Sequence, residues 1–302
     1  MQLAFHTLDV FTDTRFGGNP LAVVLGADDL TQNQMQAVAR EFNLSETVFV
    51  LKPFNPAHSA RVRIFTPAVE LPFAGHPTVG TAILLAELKS SGDDDGDANA
   101  IVVLEEQIGV VRVGVRFRKG RAPFAEFDVP KLPEDIGGAA SGERIAAALG
   151  LIPSEIGFAN HRPTRFSAGV PYTFVPIASL DAMAKARVNP ASWQAAFGEQ
   201  TAAYLYTSAT THASAHLHAR MFMPGGGIAE DPATGSAAAA LAGVVHRFDQ
   251  PPEGSHRRMI EQGFEMGRPS HISLTLEVRA TKLAGVRIGG HAVRVTEGTV
   301  RV

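Results

Sequence analysis

The chain repeats itself, and this limits its possible folds more than any other feature. Gly75-His76-Pro77-Thr78-Val79-Gly80-Thr81-Ala82 lies without gaps over Glu230-Asp231-Pro232-Ala233-Thr234-Gly235-Ser236-Ala237, 155 residues downstream. Each copy has an acid–base residue, a proline, two further residues, a glycine, a hydroxyl residue and then an apolar run. An upstream pair, Gly18-Asn19-Pro20 over Gly169-Val170-Pro171, has an offset of 151. Two matches in the same order, at nearly the same offset, indicate duplicated halves of about 150 residues. A chain of 302 residues has room for both halves and for the core each must bury.

The chain contains no cysteine. That excludes a disulfide framework, thiolate metal ligands, iron–sulfur clusters and a cysteine nucleophile or base. The formal charge of −3, from 27 Lys+Arg against 30 Asp+Glu, is too balanced for a phosphate-backbone binder, so no nucleic acid is expected as a partner. Arg61 and Arg63, and the group His256-Arg257-Arg258, read as solvated surface. Met1 to Phe11 reads as a strand and not as a leader peptide. The longest apolar stretch, Ala237 to Val245, falls far short of the ~20 residues that cross a bilayer. The expectation is a soluble, cytoplasmic protein with no membrane partner.

Strand signals fall at Leu3–Phe11, Leu21–Leu25, Thr47–Leu51, Arg61–Phe65, Ile101–Leu104 and Gly109–Phe117, and the pattern starts again from about Pro123 with Ala125–Val129. Further signals fall at Tyr172–Val175, Ala202–Thr207, His216–Phe222, Ser273–Arg279, Val286–Val295 and Gly298–Val302. Helical spacing of Met35, Val38, Ala39 and Phe42 predicts a helix over 31–42, with Thr31 and Gln34 as a capping box. Further helices are expected from His76-Pro77 to Leu88, over Gly142–Leu149, over Pro190–Phe197 behind Asn189, and from Asp231-Pro232 through Ala242. Ser90 to Asp97 reads as a solvated acidic loop. The halves are placed at 1–120 with about 290–302, and at 121–289.

In this reading each half carries a turn that feeds a helix N-terminus, and His76 and Asp231 open the two paired helices. A helix N-terminus offers unpaired N–H groups and partial positive charge, so it attracts anions. Gly80 and Gly235 would let a ligand approach the backbone. If the halves face each other across a pseudo-twofold axis, both N-termini point into one cleft, suited to a carboxylate substrate or an enolate-like intermediate. Four side chains are candidates for chemistry: Glu46, in Asn43-Leu44-Ser45-Glu46-Thr47, then His76, Asp231 and Ser236. Each also has a plainer reading. Glu46 fits a surface position, Asp231 an N-cap, His76 a structural histidine, and Ser236 a hydroxyl bonding back to its own helix. The repeat weighs toward chemistry, because an imidazole and a carboxylate across a cleft can orient a substrate and move protons.

Other site types fit less well. His212, Ser214, His216 and His218 alternate as a surface strand would, although a metal could be held there. No H-E-x-x-H, G-x-S-x-G or phosphate-loop pattern occurs. Met223-Pro224-Gly225-Gly226-Gly227 lacks the dinucleotide spacing.

The same residues carry a family resemblance. The segments are Asp9-Val10-Phe11-Thr12 with Phe16-Gly17-Gly18-Asn19-Pro20-Leu21; Asn43-Leu44-Ser45-Glu46-Thr47; Phe65-Thr66-Pro67 with Gly75-His76-Pro77-Thr78-Val79-Gly80; Glu230-Asp231-Pro232-Ala233-Thr234-Gly235-Ser236-Ala237; and Gln262-Gly263 with Met266-Gly267-Arg268-Pro269-Ser270. Together they resemble the PhzF-like isomerases of phenazine biosynthesis, relatives of the diaminopimelate epimerase fold. The resemblance implies an α+β fold of two pseudo-symmetric halves, each a mixed β-sheet wrapped around a central α-helix, with the active site between them. It implies Glu46 as the proton-shuttling acid/base, completed by His76, Asp231 and Ser236. Asn19, Gly75 and Gly235 are then expected to bind substrate. Such proteins use no cofactor or metal and are commonly homodimers.

The expected reaction moves a proton between carbons of a small carboxylate substrate. Two alternatives stay open: a racemase or epimerase using bases other than thiols, and a carboxylate-binding protein without turnover. The stretches 90–99 and 249–258 read as insertions relative to a compact family member, and phenazine synthesis itself is not inferred.

Overall fold

The computed structural model describes residues 1–90, 96–198, 202–226 and 228–302. Most of the acidic loop expected over 90–97, and Gly227 of the glycine-rich stretch, lie outside the described residues. The chain divides into two compact units, 1–128 with 289–302, and 129–288. Residues 121–128, expected in the second half, pair with the strand before them and belong to unit 1.

Unit 1 contains β1 (Gln2–Val10), β2 (Asn19–Val24), α1 (Gln32–Phe42), β3 (Glu46–Leu51), β4 (Ala60–Phe65), β5 (Glu70–Leu71), α2 (Gly75–Lys89), β6 (Ala98–Glu106), β7 (Gly109–Arg118) and β8 (Arg121–Asp128). Antiparallel pairs alternate with the parallel pairs β2–β3 and β4–β6. The last strand of the chain pairs with both β1 and β8, which closes the ring. α2 runs through its interior with Val79, Ile83 and Leu84 wholly buried. A helix buried on all sides must be apolar on all sides, and α2 is. Gly80, expected to admit a ligand, faces the strands instead. A Cβ there would lie 2.6 Å from Leu21 and 2.7 Å from Val10, so this glycine lets the strands close on the helix.

Unit 2 contains β9 (Glu134–Asp135), α3 (Gly142–Leu149), β10 (Thr164–Ser167), β11 (Pro171–Pro176), α4 (Leu180–Lys185), α5 (Pro190–Phe197), β12 (Ala202–Thr207), β13 (Leu217–Met223), β14 (Ile228–Asp231), α6 (Gly235–Asp249), β15 (Gly254–Gln262) and β16 (Ser270–Arg279). Its strands pair in the order β9–β10–β11–β12–β13–β15–β16, with β14 on β13. α6 packs its alanine-rich face on β10, β11 and β16. The expected strands Val286–Val295 and Gly298–Val302 are one continuous strand, β17 (Lys282–Arg301). Of the stretch 249–258, Asp249 ends α6 and the residues from Gly254 belong to β15, paired with β16.

Features of the repeat recur in the two units, in a different register. α2 and α6 are each 15 residues long, and Gly75 and Gly235 begin them. Their offset is therefore 160, and it lays Glu70-Leu71-Pro72 over Glu230-Asp231-Pro232. Both strand ends agree. Arg63 binds Glu70 through Nε and Nη2 at 2.7 and 2.6 Å, and Arg220 binds Glu230 in the same way at 2.7 and 2.9 Å. Unit 1 carries P-x-x-G twice, at Pro72–Gly75 and Pro77–Gly80, so a gapless comparison selects the wrong copy. The counterpart of His76 is Ser236, and that of Asp231 is Leu71. Arg63 is a half-buried ion-pair partner and not free surface.

Candidate active site

Glu46 opens β3, just beyond Asn43, whose left-handed backbone ends α1. His76 is the second residue of α2, and its Nε2 lies 3.2 Å from Glu46 Oε2. Their side chains are 5% and 14% exposed, so little water intervenes. The angles at His76 Nε2 form no hydrogen bond. The ring is held from its other side by the backbone of Pro20. Proline has no N–H, so its carbonyl accepts, and His76 Nδ1 must carry the hydrogen. That leaves a lone pair on Nε2 facing Glu46. Burial pushes the imidazole down to about 3, so it stays neutral at ordinary pH. Asn19 and Gly75 are both buried beside these elements, at the start of β2 and of α2. Ala74, the N-cap of α2, has no side chain that could bond the first N–H groups.

In unit 2, Asp231 does not open a helix as expected. Its backbone is committed to the ladder with Met221, so it ends β14, and α6 starts only at Gly235. Thr234 occupies the N-cap position, but its hydroxyl does not cap the helix. It donates instead to Asp231 Oδ2 at 2.5 Å. Ser236, the second residue of α6, has its Oγ 2.7 Å from the Tyr172 hydroxyl. The structure thus joins Glu46 to His76 within unit 1, and sets Asp231 and Ser236 on either side of one turn within unit 2. Gly235 is buried at the first position of that helix.

Three residues near this turn escape the sequence reading: Tyr172, Thr234 and Gln262. Tyr172 follows the repeated Gly169-Val170-Pro171, and Gln262 belongs to the Gln262-Gly263 motif, so both had a signal without a role. The histidine run is also corrected. β13 begins at Leu217, and His218 is buried between Glu261 and Glu265, 2.8 and 2.9 Å from Nδ1 and Nε2. Burial opposes its charge, but the two carboxylates prevail and hold its imidazole above the usual range. Among the described residues no group of His, Asp and Glu could hold a metal ion. No helix among them is long and apolar enough to cross a membrane.

The family model for phenazine biosynthesis-like proteins (PhzC-PhzF) matches residues 8–298. An uncharacterized isomerase of Mesorhizobium japonicum is 53% identical over 296 residues, covering 96% of each chain. A trans-2,3-dihydro-3-hydroxyanthranilate isomerase of Pseudomonas chlororaphis is 36% identical over 300 residues, covering 97% of each. The crystal structure of a PhzF-family protein of Bacillus anthracis superposes with a TM-score of 0.88 at 25% identity, covering 100% of both chains. A probable proline racemase of Agrobacterium radiobacter shares the fold alone, with a TM-score of 0.65 at 14% identity over 99% of this chain and 92% of that one. Motifs from the first strand to nearly the last, a matching family model and relatives over nearly the whole length agree: the chain belongs to the phenazine biosynthesis-like PhzF family of isomerases.

Proposed function

We propose that this isomerase moves a proton between two carbons of a small carboxylate substrate, with Glu46 as the carrier and no cofactor. The supporting observation is the Glu46–His76 contact, with the ring fixed from behind by Pro20. An ionised Glu46 facing a neutral His76 would set two lone pairs against each other at 3.2 Å. The pair is relaxed only with one hydrogen between them. Glu46 as carboxylate therefore gains from taking a proton off an acidic carbon α to a carboxyl or in an allylic position. Once the carboxyl turns into line, His76 Nε2 accepts from the protonated Glu46, which then returns the same proton to another carbon of the conjugated system. The C–H bond broken and the C–H bond formed balance, and the double bond migrates between them.

In this reading Asp231 and Ser236 hold the substrate's amino or hydroxyl groups. The N–H groups at Gly75 and Gly235, where helix dipoles end without side-chain caps, hold its carboxylate. Asn19 completes the binding set. The relatives' name suggests an aminated, hydroxylated ring carboxylate as a first probe. Wild-type protein given trans-2,3-dihydro-3-hydroxyanthranilate and simpler unsaturated carboxylates in deuterated water should migrate a double bond in at least one of them. Folded Glu46→Gln should do so in none. Full turnover by Glu46→Gln contradicts the proposal. The shared fold with a probable proline racemase favours a second reading, epimerisation at one carbon. Inversion at that carbon without double-bond migration would select it.

A further inference from the structure

Gln262 touches none of the residues given a chemical role above by its position in sequence, yet its wholly buried side chain grips the Asp231 turn. Backbone partners fix the orientation of its amide. Thr234 N–H can only donate and lies 3.2 Å from Oε1, and the Asp231 carbonyl can only accept and lies 2.8 Å from Nε2. Tyr204 then donates to Oε1 at 3.1 Å. Nε2 also donates to Thr234 Oγ1 at 3.0 Å, so the single hydroxyl hydrogen of Thr234 is left for Asp231 Oδ2. Every donor in the series points the same way, from Gln262 through Thr234 to the carboxylate. The next residue lets the turn come this close. Gly263 has φ +79°, and a Cβ there would lie 2.5 Å from the Arg268 carbonyl and 2.6 Å from that of Pro232.

Unit 1 has a related contact without the aspartate, made by Thr78 inside the helix, since the position matching Thr234 is Ala74. β6 and β15 are both nine residues long and end in Glu106 and Gln262. Glu106 Oε1 lies 2.7 Å from Thr78 Oγ1 in the first turn of α2. A buried strand-end side chain thus meets a threonine at a helix start in both units, and only unit 2 passes the contact on to a carboxylate.

We propose that Gln262 and Thr234 are positioning residues for Asp231, which aim its carboxylate and commit Oδ2 to accepting a hydrogen bond. The inference deepens the proposed function, since Asp231's contact with substrate rests on that reading. Tyr204 is an ionisable group that faces Asp231, and its chain neighbour Glu230 is taken up by Arg220.

The test follows Asp231 itself and needs no substrate. In the full chain labelled with ¹³C at aspartate side-chain carboxyls, the Asp231 resonance is assigned by its loss in Asp231→Asn. Thr234→Val keeps the shape and deletes the hydroxyl, Thr234→Ser restores the hydroxyl, and Gln262→Met deletes the amide. The Asp231 titration midpoint should rise by about one pH unit in Thr234→Val, return toward wild type in Thr234→Ser, and rise by less in Gln262→Met. An Asp231 midpoint unchanged in folded Thr234→Val overturns the proposal, even where that variant loses stability. If Gln262→Met does not fold, the valine–serine pair still decides. A shifted midpoint in a protein that exchanges no substrate hydrogen would leave the positioning intact and remove the isomerase mechanism. The reverse result would do the opposite.

Discussion

His76 is buried, neutral and tautomerically fixed, and these three properties come from different neighbours. Burial removes its charge, the Pro20 carbonyl sets the hydrogen on Nδ1, and Glu46 faces the remaining lone pair. His76→Asn keeps a polar group but cannot reach Glu46 from the same backbone position. Its kcat should fall roughly 10²-fold or more while the far-UV spectrum is unchanged, as measured by steady-state turnover and circular dichroism. A kcat within twofold of wild type would mean that the contact is structural. His76, Asp231 and Ser236 are legible in the sequence because each stands in a motif with a proline or glycine that marks a turn, whereas Asn43-Leu44-Ser45-Glu46-Thr47 has neither and Glu46 stands out only through the family resemblance. The partners of these residues are less legible. Tyr172 looks like any strand tyrosine, and nothing local in Thr234 reveals that its hydroxyl turns away from its own helix toward Asp231.

The elements that could be read were those with local reasons to form. α1 has its capping box, Thr31 with Gln34, in the sequence and in the structure. α3, α5 and β12 fall over the expected residues. β15 was hidden because charge masks its alternation at His256-Arg257-Arg258, and its partner β16 supplies the ladder. β17 reads as two strands because Thr296-Glu297-Gly298 breaks the apolar pattern, while pairing with β1 carries it through with a bulge opposite Thr7 and Leu8. Gly80 shows how an element can mislead: a glycine near a helix start suggests ligand access, and here it serves strand packing. Gly80→Ala should therefore lower unfolding free energy by ~1–3 kcal/mol in urea titration, with KM unchanged in the folded enzyme. A stable variant with a raised KM would restore the ligand reading.

Both units carry a strand-end Arg–Glu pair and a 15-residue helix begun by glycine, and they differ in the side chains around that helix start. Unit 1 brings Glu46 at the start of β3 against His76 in the first turn of α2, and unit 2 holds Asp231 and Ser236 on either side of the turn that feeds α6. Unit 1 also bears two buried groups that tie stability to pH. Burial pushes Glu106 up from 4.5 to about 8, so between these values the native state keeps a proton that the unfolded chain releases, and stability falls as pH rises. Burial pushes His76 down from 6.5 to about 3, so over that span the unfolded chain takes a proton that the native state refuses, and stability falls as pH drops. Urea midpoints should decline toward pH 8, and Glu106→Gln, neutral in both states, should flatten that decline. An equal slope in the variant would locate the effect elsewhere. The account as a whole stands on one carboxylic acid carrying one hydrogen. A substrate deuterated at the carbon that loses its hydrogen, turned over in ordinary water and read by NMR, tests this directly. Part of the deuterium should reappear on the accepting carbon of the same molecule, and Glu46→Gln should form no product. Label transfer at the wild-type rate in Glu46→Gln would contradict the account.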